Sequence, residues 1–164
     1  MDEGRQAALP PGYRRRIRWG ECDPAGVVYT PRFGDYVIDA YHDFLGQLLG
    51  LPLQQALISH DLGTPAKELR ILFERSLWPD QEIVLHVRVR DVRRRSFDIA
   101  VDAFDEAGQG VFSAKLGLVC VHHDVRKSRE IPPPVRKLLC EHRERYPVPA
   151  DAPDDVGVTR GVKS

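Results

Sequence analysis

A chain of 164 residues has room for one domain with a real core and is too short for two ordinary ones. Its 24 basic residues balance its 24 acidic ones, so it has no general attraction for nucleic acid or a membrane surface, and anion binding would have to come from local patches such as Arg14 to Arg18 and Arg93 to Arg95. No N-terminal apolar run fits a signal peptide, no stretch reaches the length of a membrane span, and the cytoplasm is the expected compartment; the three cysteines, Cys22, Cys120 and Cys140, have unrelated spacings and make no disulfide framework or zinc knuckle.

In chain order, residues 1–12 are polar and end in Pro-Pro-Gly, which predicts a flexible arm. Tyr13 to Trp19 reads as a first strand, with Tyr13, Arg15, Ile17 and Trp19 on one side and Arg14, Arg16 and Arg18 on a very basic other side. An acid-bearing turn follows, and then the most strongly periodic segment of the chain. Phe33, Tyr36, Val37, Ala40, Tyr41, Phe44, Leu45 and Leu48 have the i, i+3, i+4, i+7 spacing of one helical face, with Asp35, Asp39, Asp43 and Gln47 opposite. Thr30 is placed to cap this helix, Pro31 fits its first position and Gly50 its left-handed stop, which predicts a helix from Pro31 to about Leu49.

Leu51 to Pro65 is connection, with a short helical turn around Gln54 to Ser59. Four runs of strand character come next. Leu69, Ile71 and Phe73 alternate with charge; Ile83, Leu85, Val87 and Val89 alternate with His86, Arg88 and Arg90; Phe97, Ile99, Val101 and Ala103 alternate with Asp98 and Asp102. After the turn at Asp105 to Gly108, Val111 to His122 is apolar on both faces and is expected to be the central, doubly covered strand. Pro132 to Glu144 predicts a short terminal helix, and residues 146–164 a disordered tail. One long helix and several antiparallel strands bury their apolar faces together only if the sheet curls around the helix, and the open sheet edges call for self-association.

Asp23, read alone, is a turn residue before Pro24 and Gly26. Its position just upstream of a helix start would also bring a carboxylate beside the positive end of a helix dipole. Glu21, Glu68 and Glu74 are further carboxylates that read as strand-face or turn charges. Cys22 has no base placed beside it by spacing, and His122 and His123, being adjacent, point to opposite sides and do not share a metal ion. Arg93 to Arg95 reads either as a solvated hairpin rim or as a phosphate site. Trp19, Tyr29, Phe33 and Trp78 would either wall a pocket or pack as core.

WGECDPAGVVYTPRF, Trp19 to Phe33, resembles the signature loop and helix start of the hotdog-fold acyl-CoA thioesterases of the 4-hydroxybenzoyl-CoA thioesterase type. The resemblance runs from roughly Tyr13 to His142 and takes in Gly63-Thr64-Pro65 and the basic run before Ser96-Phe97. It implies an α+β hotdog fold over 13–145, an antiparallel sheet wrapped around one long central helix, assembled as a dimer or tetramer with the acyl-CoA site between subunits. It implies hydrolysis of an aryl or aliphatic acyl-CoA, with Asp23 as nucleophile or general base and the Thr30 backbone amide polarising the carbonyl. Some relatives carry His or Tyr at the position of Thr30. Tyr29, Gly63, Thr64, Arg93, Arg94, Arg95 and Ser96 are the implied substrate contacts, with no metal and no cofactor, since coenzyme A is part of the substrate. The alternatives are an acyl-CoA or acyl-carrier-protein binding module without turnover, and a hotdog dehydratase. The dehydratase needs a histidine near the Asp, where this chain has Val28 and Thr30.

Overall fold

The computed structural model describes residues 8–150 and residue 152. The beginning of the expected arm and most of the expected tail, residue 151 and residues 153–164, lie outside the described residues. The elements are β1 (Gly12–Arg16), a 3-10 turn (Trp19–Glu21), α1 (Arg32–Leu49), α2 (Leu53–Ser59), β2 (Ala66–Phe73), β3 (Glu82–Val92), β4 (Ser96–Asp105), β5 (Gly110–Val119) and α3 (Pro133–Arg145).

The stripe on α1 is buried as its spacing requires: Phe33, Tyr36, Val37, Ala40, Tyr41 and Leu45 face the core. Gly50 ends the helix at φ 69°, where its N–H reaches the carbonyls of Gln47 and Gly46 and a side chain would be strained. The start differs from expectation. The Thr30 side chain makes no cap, and the amides of Arg32, Phe33 and Gly34 instead bond back to the carbonyls of Tyr29, Thr30 and Pro31 in a tight i to i−3 turn. That turn satisfies first-turn amides with backbone alone, so no side-chain cap is needed.

The five strands form one antiparallel sheet in the order β1-β3-β4-β5-β2. Its concave face, carrying Leu85, Val87, Ile99, Val101, Leu116 and Leu118, wraps α1, which is the hotdog arrangement. The central strand is β4 and not the Val111 run, which as β5 lies one place from the edge. Phe97, Asp98, Ile99, Ala100 and Val101 are all buried. Asp98 hides this double burial from a sequence reading: its charge is compensated by Arg93 at 2.5 Å and Lys115 at 3.7 Å, so an acid occupies a covered position. Trp19 is likewise displaced from the expected strand side. The ladder ends near Ile17, the chain enters the 3-10 turn, and Trp19 is 73% exposed. β2 is an edge strand, and Leu69, Leu72 and Phe73 on it remain exposed within one chain. Val135 and Leu139 of α3 close the core beside β3. Among the described residues, no helix is long and apolar enough to cross a membrane.

Candidate active site

The loop before α1 folds on itself through short-range bonds that its sequence supplies. The Asp23 N–H donates to the Val27 carbonyl at 2.9 Å, the Gly26 N–H returns to the Asp23 carbonyl at 2.9 Å, and Asp23 Oδ1 accepts from the Ala25 amide at 2.8 Å. Gly26 sits at φ 82°, which is why a glycine closes this turn. Cys22 bridges to Val28, the Val28 N–H donates to the Leu77 carbonyl, and the Tyr29 N–H donates to the Glu21 carbonyl. The loop is therefore moored at both ends.

Asp23 and Thr30 come together on one open cleft of about 290 Å³, lined also by Val27, Phe33, Phe73 and Glu74. Phe33 meets Phe73 edge-on with centroids 5.0 Å apart and Phe112 at 5.3 Å, giving the cleft an aromatic base. Among the described residues, Asp23 Oδ2 accepts no hydrogen bond and the Thr30 N–H donates none. One carboxylate oxygen and one amide at the start of α1 are thus uncommitted on the same cleft, where the helix dipole favours negative charge. Glu74, which reads from sequence as a strand-face charge, follows Phe73 onto the cleft wall.

Glu21, two residues before Asp23, is fully committed. Arg15 Nη2 pairs with its Oε1, and its Oε2 accepts from the Arg18 amide at 2.8 Å and from the Tyr36 hydroxyl at 3.1 Å. Burial would raise its pKa, but the Arg18 N–H, the Arg15 charge and the Tyr36 hydroxyl together hold it below the usual glutamate range. The Cys22 thiol is pushed the other way, up, by burial and by the charges of Glu21 and Asp23, so it is a poor source of thiolate. Sequence periodicity placed Arg15 on the inner side of β1 but gave no sign that Tyr36 and Glu21 would meet it there.

The remaining predicted residues lie elsewhere. Tyr29 flanks the loop and is 54% exposed. Gly63 pairs with Val121, and Thr64 Oγ1 accepts from the Tyr41 hydroxyl at 2.7 Å. Tyr41 lies nine residues beyond Arg32 on α1, about 14 Å along the axis. The turn from Arg93 to Ser96 is at this same end: Cys120 donates to the Arg95 carbonyl, Ser96 faces Val119, and Val119 donates to the Pro65 carbonyl. Phe112, paired with Phe73 at the cleft, is seven residues from Val119, about 23 Å along β5. Within one chain the predicted residues therefore form two groups at opposite ends of the sheet.

The three arginines are not equivalent. Arg93 is tied to Asp98 at 2.5 Å, to Asp91 at 2.6 Å and to Ser96 Oγ at 2.9 Å, and the two carboxylates, Asp98 foremost, raise its pKa against burial. Arg94 pairs with Glu130 through Nε at 2.6 Å. Arg95 is exposed and makes no salt bridge among the described residues. His122 shares Asp61 with Arg129, while His123 meets Asp124, so the adjacent histidines serve different partners. Glu68 is exposed, with Lys115 at 3.5 Å. Among the described residues, no cluster of three or more metal-ligating side chains is present.

The profile of a family described as the thioesterase-like superfamily matches residues 17–139. The chain is 27% identical over 141 residues to the 1,4-dihydroxy-2-naphthoyl-CoA hydrolase of Thermosynechococcus vestitus, covering 86% of this chain and 84% of that one. It is 26% identical over 85 residues to the 4-hydroxybenzoyl-CoA thioesterase of Pseudomonas sp. strain CBS-3, covering 51% and 60% respectively. Among solved structures, a gentisyl-coenzyme A thioesterase superposes with a TM-score of 0.71 at 25% identity, covering 79% of this chain and 99% of that one. A thioesterase-superfamily protein from Jannaschia sp. CCS1 superposes at 0.76 with 23% identity, covering 82% and 96%, and shares the fold.

Proposed function

The chain belongs to the thioesterase-like superfamily and is a thioester hydrolase, and we propose that it cleaves an aromatic acyl-CoA to the free acid and coenzyme A with Asp23 as the attacking or activating carboxylate. The observation that carries this is the shared cleft: Asp23 and Thr30 line it together, while the neighbouring Glu21 is occupied by three donors. Asp23 Oδ2 either adds to the thioester carbonyl carbon, expelling the coenzyme A thiolate and leaving an anhydride for water to open, or takes a proton from a water that adds there. In both routes negative charge grows on the carbonyl oxygen, and the Thr30 N–H at the start of α1 stabilises it.

An aromatic acyl group is supported by the edge-on Phe33 and Phe73 rings at the cleft and by the aromatic acyl groups in the names of the relatives. The dehydratase alternative loses support because, among the described residues, no histidine lines the cleft. A binding module has no need of an uncommitted carboxylate.

The full site is proposed to form in a dimer. Antiparallel pairing of the exposed β2 edges about a twofold axis would bring the Phe73 end of one strand beside the Ala66 end of the other. The Asp23 cleft of one subunit would then meet Gly63, Thr64 and the Arg94–Arg95 turn of its partner, residues that lie at the other end of the sheet within a single chain. Two such dimers pairing into a homotetramer would cover further sheet surface, and a free acyl-CoA substrate agrees with a cytoplasmic enzyme. Aryl- and alkyl-CoA panels assayed with wild type and Asp23→Asn test the assignment. Hydrolysis confined to aliphatic substrates would overturn the aromatic specificity, and an active Asp23→Asn would overturn the mechanism.

A further inference from the structure

Three side chains that do not line the cleft, Arg15, Glu21 and Tyr36, take no direct part in the chemistry proposed above, yet they are bound to one another. Arg15, on β1, pairs with Glu21 Oε1 and reaches Asp39 on α1 at 3.0 Å. Its guanidinium lies 4.3 Å from the centroid of the Tyr36 ring, and the Tyr36 hydroxyl donates to Glu21 Oε2. The Arg15 and Glu21 side chains are 16% and 12% exposed, so the pair is largely withdrawn from water and its geometry is not averaged as in a surface ion pair.

The backbone extends this anchorage to both reacting groups. The Glu21 amide donates to the Arg18 carbonyl at 3.0 Å, and the Glu21 carbonyl accepts from Tyr29 at 2.9 Å. Asp23 follows Glu21 by two residues, and Thr30 follows Tyr29 by one. The carboxylate and the amide are thus each a short, bonded step from atoms that Glu21 holds, and Glu21 is held in turn to β1 by Arg15 and to α1 by Tyr36.

We infer that Glu21 is a positioning residue, clamped by Arg15 and Tyr36, that sets the separation between the Asp23 carboxylate and the Thr30 amide. The inference rests on the roles proposed for those two groups. It requires a carboxylate at residue 21: its two oxygens receive three donors, whereas a glutamine offers one acceptor oxygen and turns an NH2 toward either a guanidinium or a hydroxyl and amide. Burial opposes the charge, but the bonds from Arg18, Arg15 and Tyr36 hold its pKa low, and with both oxygens occupied by donors Glu21 is a poor spare base. A misplacement of about 1 Å between reacting groups costs on the order of a hundredfold in rate, which sets the scale of the effect.

The test uses the full-length protein with Glu21→Gln and Tyr36→Phe, and Asp23→Asn as reference. Glu21→Gln is expected to lower kcat about ten- to hundredfold with KM within about twofold, and Tyr36→Phe to lower it about three- to tenfold. Amide hydrogen exchange at Asp23 and Tyr29, whose N–H groups are bonded to the Val27 and Glu21 carbonyls, should accelerate in both, while exchange in β4 stays unchanged. A purely structural role predicts a lower Tm with wild-type kcat per folded molecule, and that result overturns the inference, as does wild-type exchange at Asp23 and Tyr29. If Glu21→Gln does not fold, Tyr36→Phe, which keeps the ring under Arg15, decides by the same two readouts. Inactive wild type or fully active Asp23→Asn would count against the proposed function, and in that case the exchange data still decide whether Glu21 orders the loop.

Discussion

The Tyr41 hydroxyl donates to Thr64 Oγ1 at 2.7 Å, a bond that fixes the Gly63–Thr64 segment two to three turns along α1 from the Asp23 cleft. Burial of Tyr41 raises its phenol pKa, against the bond to Thr64, so the hydroxyl remains a donor across the working pH range. Two groups of residues so firmly separated in one chain serve one substrate only if two chains meet. Leu69, 45% exposed on the β2 edge, is then buried by the partner, and Leu69→Asp is expected to give a folded monomer with kcat/KM reduced at least about a hundredfold. Sedimentation showing a wild-type monomer that is fully active would contradict this.

Asp23→Asn keeps the volume and the Oδ1 contact with the Ala25 amide but removes the nucleophile or base. kcat is expected to fall by about a thousandfold or more, the scale at which a group acting in the transition state is lost, with Tm nearly unchanged. The half-buried turn that holds Asp23 is built from backbone bonds, so circular dichroism of the variant should match wild type.

Cys22→Ala should leave kcat within about twofold, because its thiol is pushed up in pKa by burial and two neighbouring carboxylates and forms only a 3.8 Å contact with the Arg18 carbonyl. Steady-state kinetics after treatment with a thiol-blocking reagent gives an independent check. Large loss in the alanine variant, with intact fold, would move the chemistry from Asp23 to its neighbour.

Much of this arrangement was legible in the sequence, and the misses share a cause. The α1 stripe, the glycine stop and the strand alternation are local patterns, and they appear where local rules place them. The motif around Asp23 pointed to the cleft that Asp23 and Thr30 share. What failed depends on distant partners. β4 does not read as the central strand because Asp98 is covered only by virtue of Arg93 and Lys115, and Trp19 reads onto the Tyr13 and Ile17 side of the first strand because alternation carries no mark of where a ladder ends. The Arg15, Glu21 and Tyr36 cluster joins β1, the 3-10 turn and α1, and no spacing rule connects those three positions.

The arginines of the β3–β4 turn make separable predictions. Arg93→Ala removes the main partner of Asp98, which is buried, and should destabilise the protein by about 1–3 kcal/mol, discounted because Arg93 itself is more than a third exposed. Arg94→Ala with Arg95→Ala should leave Tm nearly unchanged and raise KM for acyl-CoA several-fold with kcat preserved, since contacts remote from the carbonyl act equally in ground and transition states. The effect should shrink with an acyl-pantetheine substrate and with added salt, which screens exposed charges over about 8–10 Å. An unchanged KM for both substrates at low salt would reassign the phosphates away from this turn.

Acid unfolding supplies the last prediction, through Glu21. Its folded pKa lies below the ordinary glutamate range, held there by the Arg18 N–H, Arg15 and Tyr36 against the upward pull of burial. A depressed carboxylate stabilises the folded state fully above its unfolded pKa and loses that contribution as pH falls through the folded value. Stability should therefore be flat in this group at neutral pH and decline below about pH 4.5, as Glu21 protonates and Arg15 is left facing a neutral partner. Glu21→Gln carries no titrating group there, so its unfolding free energy should start lower at pH 7 and approach that of wild type as the pH falls through the folded pKa of Glu21. Urea melts of both proteins from pH 7 to pH 3 test this. Parallel curves, with a constant gap across that range, would mean that Glu21 titrates alike in the folded and unfolded chains and that its three donors do not favour the charged carboxylate.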